Sequence, residues 1–422
     1  MEFDCDALVI GAGAAGASAA ILLAQAGWRV VIVEQHPYPR RKVCGECIAA
    51  GNLSLLDELG VGAAFRSAAG PELRRVGWMD ASATVSADMP PCSSGPYPYG
   101  RALGRDRLDT LLLQRARSLG VVVLQPAKAR SVRGDVGRFD CTIESWVGGP
   151  HPAEGNLCSR ALRTPVVIDA HGSWERGPLG SRGEDSNGAR VPRRDSDLFA
   201  FKANFRNTTL APGFLPVLAL RGAYGGMVVG DDGRTTLACC VRRDALAACR
   251  KQAPGTSAGL AVEGLLRRSC AGVRDVLHDA DRDGAWLSVG PLRPGIRVDA
   301  LRGAFRVGNA AGESHPLIGE GISMALQSSA LLAAMLIRHS VAAITGRCAV
   351  DLHRSYAAMW RQVFARRLQL AAIYAHIAMR PALAEPARGL LRRWPALLCS
   401  GARLAGKAAR APVPSLTTVE IS

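Results

Sequence analysis

Gly11-x-Gly13-x-x-Gly16 and Glu34 are the first residues of the chain whose types and spacing carry a chemistry. The glycines stand between an apolar stretch, residues 6–10, and an alanine- and leucine-rich stretch, residues 14–26, and Glu34 closes a second apolar run, residues 29–34. Gly11 permits a tight turn, Gly13 lets a pyrophosphate approach the backbone at a helix N-terminus, and Gly16 lets helix and strand pack closely. Glu34 is placed to accept hydrogen bonds from an adenosine ribose, and Ala14, Ala15 and Gln35 are grouped with these residues as cofactor-binding. The bland alternative is a glycine-rich turn without a ligand; strand, helix and acid at these spacings favour a dinucleotide, but do not separate FAD from NAD. A second glycine-rich turn lies far downstream, with Gly308, Asn309 and Ala310 at one end, Gly319, Gly321 and Ile322 at the other, and His315-Pro316 between. His315 is a candidate acid or base, against the plainer role of shaping the turn.

These residues need elements to hold them. A strand, turn, helix and strand at the start imply a parallel, doubly wound sheet. Residues 107–119, apolar at Leu108, Leu111, Leu112 and Leu119, predict a helix that feeds the apolar strand 121–124. Residues 172–197 are polar and aperiodic and predict a long surface loop. Beyond it, residues 198–205, 225–229 and 235–241 predict a second sheet and 259–270 a helix. Strand character returns at 306–307, a helix is expected over 321–337, and residues 352–411 read as mostly helical, broken at Pro381, Pro386 and Pro395.

The downstream turn, from Arg306 to Ile322, resembles the FAD-binding signature of the p-hydroxybenzoate-hydroxylase-like superfamily, specifically its geranylgeranyl-reductase and flavin-halogenase branch, whose pattern is GDAAG-x-x-x-P-x-x-GEGI. The resemblance implies that Asn309, where the family usually has aspartate, holds the flavin ribityl chain or pyrophosphate. It also implies that the turn at Gly319, Gly321 and Ile322 opens a helix whose amides face flavin N1 and the C2 carbonyl, where a helix N-terminus stabilises negative charge. Arg41, Lys42, Cys44 and Gly45 belong to a segment similar to the family's R-x-K-x-C-G-E flavin loop, and Arg105 with Leu108 and Asp109 resembles the helix start at which its arginine contacts FAD. The stretch from Val166 to Trp174 matches the family's V-I-x-A-D-G-x-x-S only in part, with His171 replacing the acid. Cys44 and Cys47 also form a CxxC, for which a redox-active dithiol competes with a flavin-lining thiol and with inert packing. Tyr224 falls where the reductase branch carries a Y-x-W-x-F-P segment; the Trp, Phe and Pro are absent, as is the halogenases' W-x-W-x-I-P motif. Cys44, Tyr224 and His315 are the candidate catalytic residues, and no metal site is assigned.

Composition bounds the rest. With 422 residues at 48% hydrophobic and 21% charged, the chain has material for a large core or two joined ones. Twelve cysteines without framework spacing argue against a disulfide scaffold. An acidic N-terminal start without a targeting pattern makes a cytoplasmic, reducing location the expectation. The formal charge of +16, with 47 arginines among 52 basic residues, favours anionic partners. Arg380, Arg388, Arg392, Arg393, Arg403, Lys407 and Arg410 face only Glu385 and are interleaved with leucines and Trp394, so peripheral contact with an anionic membrane surface or an acidic partner competes with a solvated helix face. No motif supports nucleic-acid binding.

The expected fold class is α/β: a Rossmann-type FAD-binding domain with a parallel sheet, an inserted mixed or antiparallel substrate sheet, and a helical C-terminus. Residues 1–175 with 285–340 form the FAD part, with 52–100 partly at the substrate side; 195–284 form the substrate sheet and 341–422 the helical region. The resemblance implies an FAD-dependent oxidoreductase with NAD(P)H as electron donor, docked transiently or acting through a separate reductase. Hydroxylation of an aromatic or polyketide-like, free or carrier-bound substrate is expected first; reduction of carbon-carbon double bonds second; halogenation and a non-catalytic flavin-binding role follow.

Overall fold

Strands Ala7–Ile10, Val30–Val33 and Val166–Asp169 are buried along their whole length, as sheet strands covered on both faces must be. With Val122–Leu124 and Phe305–Arg306 they form a five-stranded sheet, and its strand pairs all run parallel. The computed structural model describes residues 4–93, 95–147, 156–173, 192–299, 303–344 and 346–404. Trp174, most of the polar stretch 172–197, and Lys407 and Arg410 lie outside the described residues.

Helix Ala14–Gln25 is buried from Ala14 to Leu23, because it is sandwiched between the parallel sheet and a second apolar helix, Gly321–Ile337. Small residues make that packing close. A Cβ on Gly308 would come 2.8 Å from the Ala15 Cβ, and the Ser329 hydroxyl donates to the Ala15 carbonyl at 2.7 Å. Gly11 (φ +102°) makes the turn out of the first strand, and Gly16 packs so tightly on it that a Cβ there would sit 1.9 Å from the Gly11 carbonyl oxygen.

The second sheet has eight strands and is mixed. Leu198–Arg206, Thr235–Arg242, Ala223–Val229 and Phe214–Leu220 follow one another antiparallel, and Arg75–Met79 adds in parallel beside Phe214–Leu220. A three-stranded antiparallel sheet, Ala127–Asp135, Arg138–Val147 and Asn156–Thr164, is not among the expected elements, since its strands mix charged and polar residues with apolar ones.

The C-terminal region consists of helices Gly346–Ala378, Pro381–Arg393 and Ala396–Leu404. Pro381 starts the second, where its missing N–H costs nothing. Pro386 does not break the chain as expected: it is the sixth residue of that helix and lies inside it. Ala384, Leu391, Leu398 and Ala402 turn inward against the mixed sheet. No helix among the described residues is long and apolar enough to cross a membrane.

Candidate functional site

Helix Ala14–Gln25 starts at Gly13, whose lack of a side chain leaves the first amides of the helix facing a cleft. A Cβ on Gly13 would lie 3.6 Å from Arg105 Nη2 and 3.7 Å from Lys42 Nζ, so two cations and a helix N-terminus look into one small space. Both cations are held from behind by Asp109. Arg105 donates to its two oxygens at 2.9 and 2.8 Å, and Lys42 Nζ stands 3.1 Å away. Burial works against the Asp109 charge, yet Arg105 and Lys42 hold its pKa below the usual carboxylate range. In turn Asp109 overrides burial and keeps Arg105 firmly protonated. This is a cradle built for an anion of pyrophosphate type. At its outer end Glu34 accepts from the amides of Ala12 (2.8 Å) and His36 (2.9 Å) and from the Tyr38 hydroxyl (3.3 Å), which fixes its carboxylate at the rim.

The downstream turn completes the other wall. Asn309, His315, Pro316, Gly319, Gly321 and Ile322 line the same cleft, of about 210 Å³, as Gly11, Gly13, Ala14, Ala15, Glu34, Gln35, Lys42, Cys44, Gly45 and Arg105. Gly321 opens its helix with nothing within 4 Å of where its Cβ would be, so its amide end is also clear. These features fit FAD: an anion cradle in the middle, an acid at the nucleoside end, and a second helix N-terminus for the flavin ring. Four expected cofactor contacts fall elsewhere. Gly16, Gly308 and Ala310 sit behind the wall, the two glycines as packing surfaces. Arg41 is turned away altogether: its guanidinium binds the Asp283 carbonyl at 2.8 Å and the Asp283 carboxylate at 3.3 Å, and Arg40 lines the cleft in its place.

A second, apolar cavity of about 500 Å³ lies between the mixed sheet and the C-terminal helices. It shares Val43, Cys44, Gly45, Cys47, Pro316 and Gly319 with the cleft, so the two compartments meet across those loops. Tyr224 lines the apolar side, His315 the cleft, and their Oη and Nδ1 are 3.1 Å apart. Burial lowers the His315 pKa, and burial together with the neighbouring Cys240 raises that of Tyr224 well above its ordinary value. Both are therefore neutral around pH 7. Cys44 and Cys47 are not joined as a disulfide: the Glu46 amide donates to Cys44 Sγ at 3.3 Å, and Cys47 Sγ donates to the Gly45 carbonyl at 3.3 Å.

What holds this loop was not foreseen. Glu46, in the left-handed conformation (φ +61°), plunges into the mixed sheet, where its carboxylate pairs with Lys202 and accepts from the Thr236 hydroxyl at 2.6 Å and the Arg105 amide at 3.0 Å. Lys202 is 1% exposed, and the available signal was a lone lysine inside the apolar strand Leu198–Arg206. Asp169, at the end of a parallel strand, pairs with both His171 and Arg306 (3.4 Å); burial opposes its charge and those two neighbours sustain it, lowering its pKa. His171 thus replaces the family's acid while resting on a different one two residues upstream.

Residues 4–151 match the family model described as the FAD binding domain. Among curated proteins the chain is similar to the menaquinone reductase of Mycobacterium tuberculosis, 28% identical over 179 residues, a match covering 42% of this chain and 42% of that protein. The match thus spans under half the length of that relative. Among solved structures it resembles the myxobacterial chondrochloren halogenase (TM-score 0.71, 19% identity, 94% of this chain and 90% of that one). It also resembles the p-nitrophenol 4-monooxygenase of Pseudomonas putida (TM-score 0.68, 16% identity, 96% and 99%). At these identities the structural likeness concerns the fold.

Proposed function

We propose that the chain, whose residues 4–151 match an FAD binding domain, is a flavin monooxygenase of the p-hydroxybenzoate-hydroxylase-like kind, acting on a ring compound with an ionisable hydroxyl and an extended apolar remainder. The observation that carries this reading is the neutral His315–Tyr224 pair at the junction of the cleft and the apolar cavity. Arg105, Lys42, Glu34 and the two helix N-termini would hold FAD, which when bound would supply two electrons for the activation of dioxygen. The cavity lining of leucines, Trp78, Met89 and Met227 binds the apolar body and keeps water out. With both groups neutral, His315 Nδ1 is unprotonated though weakened as a base by burial, and the Tyr224 hydroxyl in contact with it can relay to it the proton of a phenol or enol as oxygen enters the ring. In sum, one oxygen atom converts C–H to C–OH, the other leaves as water, and NAD(P)H provides the electron pair. Tyr224 and His315 are the proposed catalytic residues, and Cys44 forms part of the wall beside them.

A second reading is hydride transfer to a carbon-carbon double bond, favoured by the similarity to a menaquinone reductase and by a cavity suited to an apolar chain. Turnover of the FAD-loaded protein with NAD(P)H and isotopically labelled dioxygen separates the two. Label in the product of an apolar phenol supports oxygenation; a product gaining two hydrogens without oxygen establishes reduction instead.

A further inference from the structure

The mouth of the apolar cavity lies on a strongly basic segment of the chain. Leu390 and Leu397 line the cavity and are nevertheless 48% and 40% exposed, so they stand where it opens to solvent. Around them Leu383 and Trp394 are also exposed, Trp394 by 54%. Inward packing is supplied instead by Ala384, Leu391, Leu398 and Ala402, on the adjoining faces of helices Pro381–Arg393 and Ala396–Leu404. Arg380, Arg392, Arg393 and Arg403 are exposed on the same segment, and Arg393 lies over the Trp394 ring at 5.9 Å. Arg388 is different: it is bound to Asp80 at 3.2 Å and to Ser82 at 2.6 Å, and so fastens the helix pair to the sheet. The only acid from residue 380 to residue 404 is Glu385.

We infer that helices Pro381–Arg393 and Ala396–Leu404 dock on an anionic bilayer surface, with Leu383, Leu390, Trp394 and Leu397 entering the headgroup boundary and the arginines meeting lipid phosphates, so that the apolar cavity fills from the membrane. Short amphipathic helices with arginines beside leucine and tryptophan lie in that plane, and a cavity opening among their apolar residues gives a hydrophobic ligand a path that avoids water. The second part rests on the cavity's being the substrate site; the docking does not, and its test needs neither flavin nor substrate.

The full chain is sedimented with vesicles of phosphatidylcholine alone and of phosphatidylcholine mixed with phosphatidylglycerol, at low and high salt. Binding is expected to the anionic vesicles only, and to weaken with salt. Each arginine near an anionic surface contributes about fivefold in affinity, so Arg392→Glu with Arg393→Glu should lower binding by more than about tenfold, and Trp394→Ser should lower it at unchanged charge. Melting temperature and FAD retention should not change, because these side chains lie outside both cavities. Failure to sediment with anionic vesicles, equal binding to both kinds, or binding unaffected by these variants overturns the inference. So does saturable binding of an acidic carrier protein by a chain that ignores vesicles. If docking stands but a fluorescent apolar probe in the vesicles does not reach the cavity, the loading path fails and the docking surface remains.

Discussion

Replacing Lys202 with methionine tests whether the mixed sheet really holds the flavin loop. The Lys202 and Glu46 side chains are 1% and 3% exposed, so the pair belongs with buried ion pairs rather than with surface ones worth about 0–1 kcal/mol. Methionine keeps most of the volume but removes the ion-pair partner of the Glu46 carboxylate, leaving it the Thr236 hydroxyl, the Arg105 amide and the weaker influence of the Arg234 charge. Breaking such a pair from one side costs about 3–5 kcal/mol. Because Glu46 also fixes Cys44 and Gly45, the loss should appear twice: as a lower urea midpoint of the apoprotein, and as weaker FAD retention on gel filtration. Glu46→Gln in the same chain removes the stranded charge and should recover part of both, giving a coupling of about 1–3 kcal/mol in a double-mutant cycle. A single variant that loses less than about 1 kcal/mol, or a cycle in which the two changes simply add, would refute the reasoning.

Gly13→Val should leave the fold intact, since a Cβ there meets Arg105 and Lys42 only at ordinary contact distance, yet abolish FAD retention by filling the anion space; a variant purified fully yellow contradicts the cradle. For turnover, His315 must be neutral, and burial lowers its pKa, so activity should be flat through neutral pH and fall only as pH drops below the ordinary histidine value of about 6.5. His315→Gln should remove that acid limb along with about 10²-fold or more of the rate, and a limb that persists in the variant assigns it to another group. Asp109 and Asp169 both have lowered folded-state pKa values, so the stability they contribute is present above about pH 3.9 and lost as pH falls through those folded values; Asp169→Asn should flatten part of the acid unfolding curve.

The parts of the molecule legible in the sequence are those in which one short segment does the whole job. The turn from Gly11 to Gly16 announces itself because each glycine answers a local demand, and the helix from Gly321 because its opening is written in consecutive residues. Arg41 misled for the opposite reason: three basic residues stand side by side at 40–42, and whether a given one reaches the cleft depends on Asp283, some 240 residues away. Lys202 was passed over because strand periodicity treats it as one polar residue in an apolar run, while its partner is set by the folding of the whole chain. Pro386 is a residue expected to break a helix, but it stands inside Pro381–Arg393, which continues through it. The arginine-rich three-stranded sheet gave no signal because its alternation is diluted by charge on its exposed positions.

The loop from Val43 to Cys47 and the turn at Pro316 to Gly319 are the common wall of the two compartments, and this has a thermodynamic consequence. A group bound on one side of a shared wall restricts the same backbone that the other side must order. Glu46 adds a fixed point from the sheet, and the 3.1 Å contact between His315 and Tyr224 adds a second link across the junction. Occupation of the apolar cavity and retention of the cofactor are therefore not independent: whatever factor one ligand adds to the affinity of the other must be returned in full.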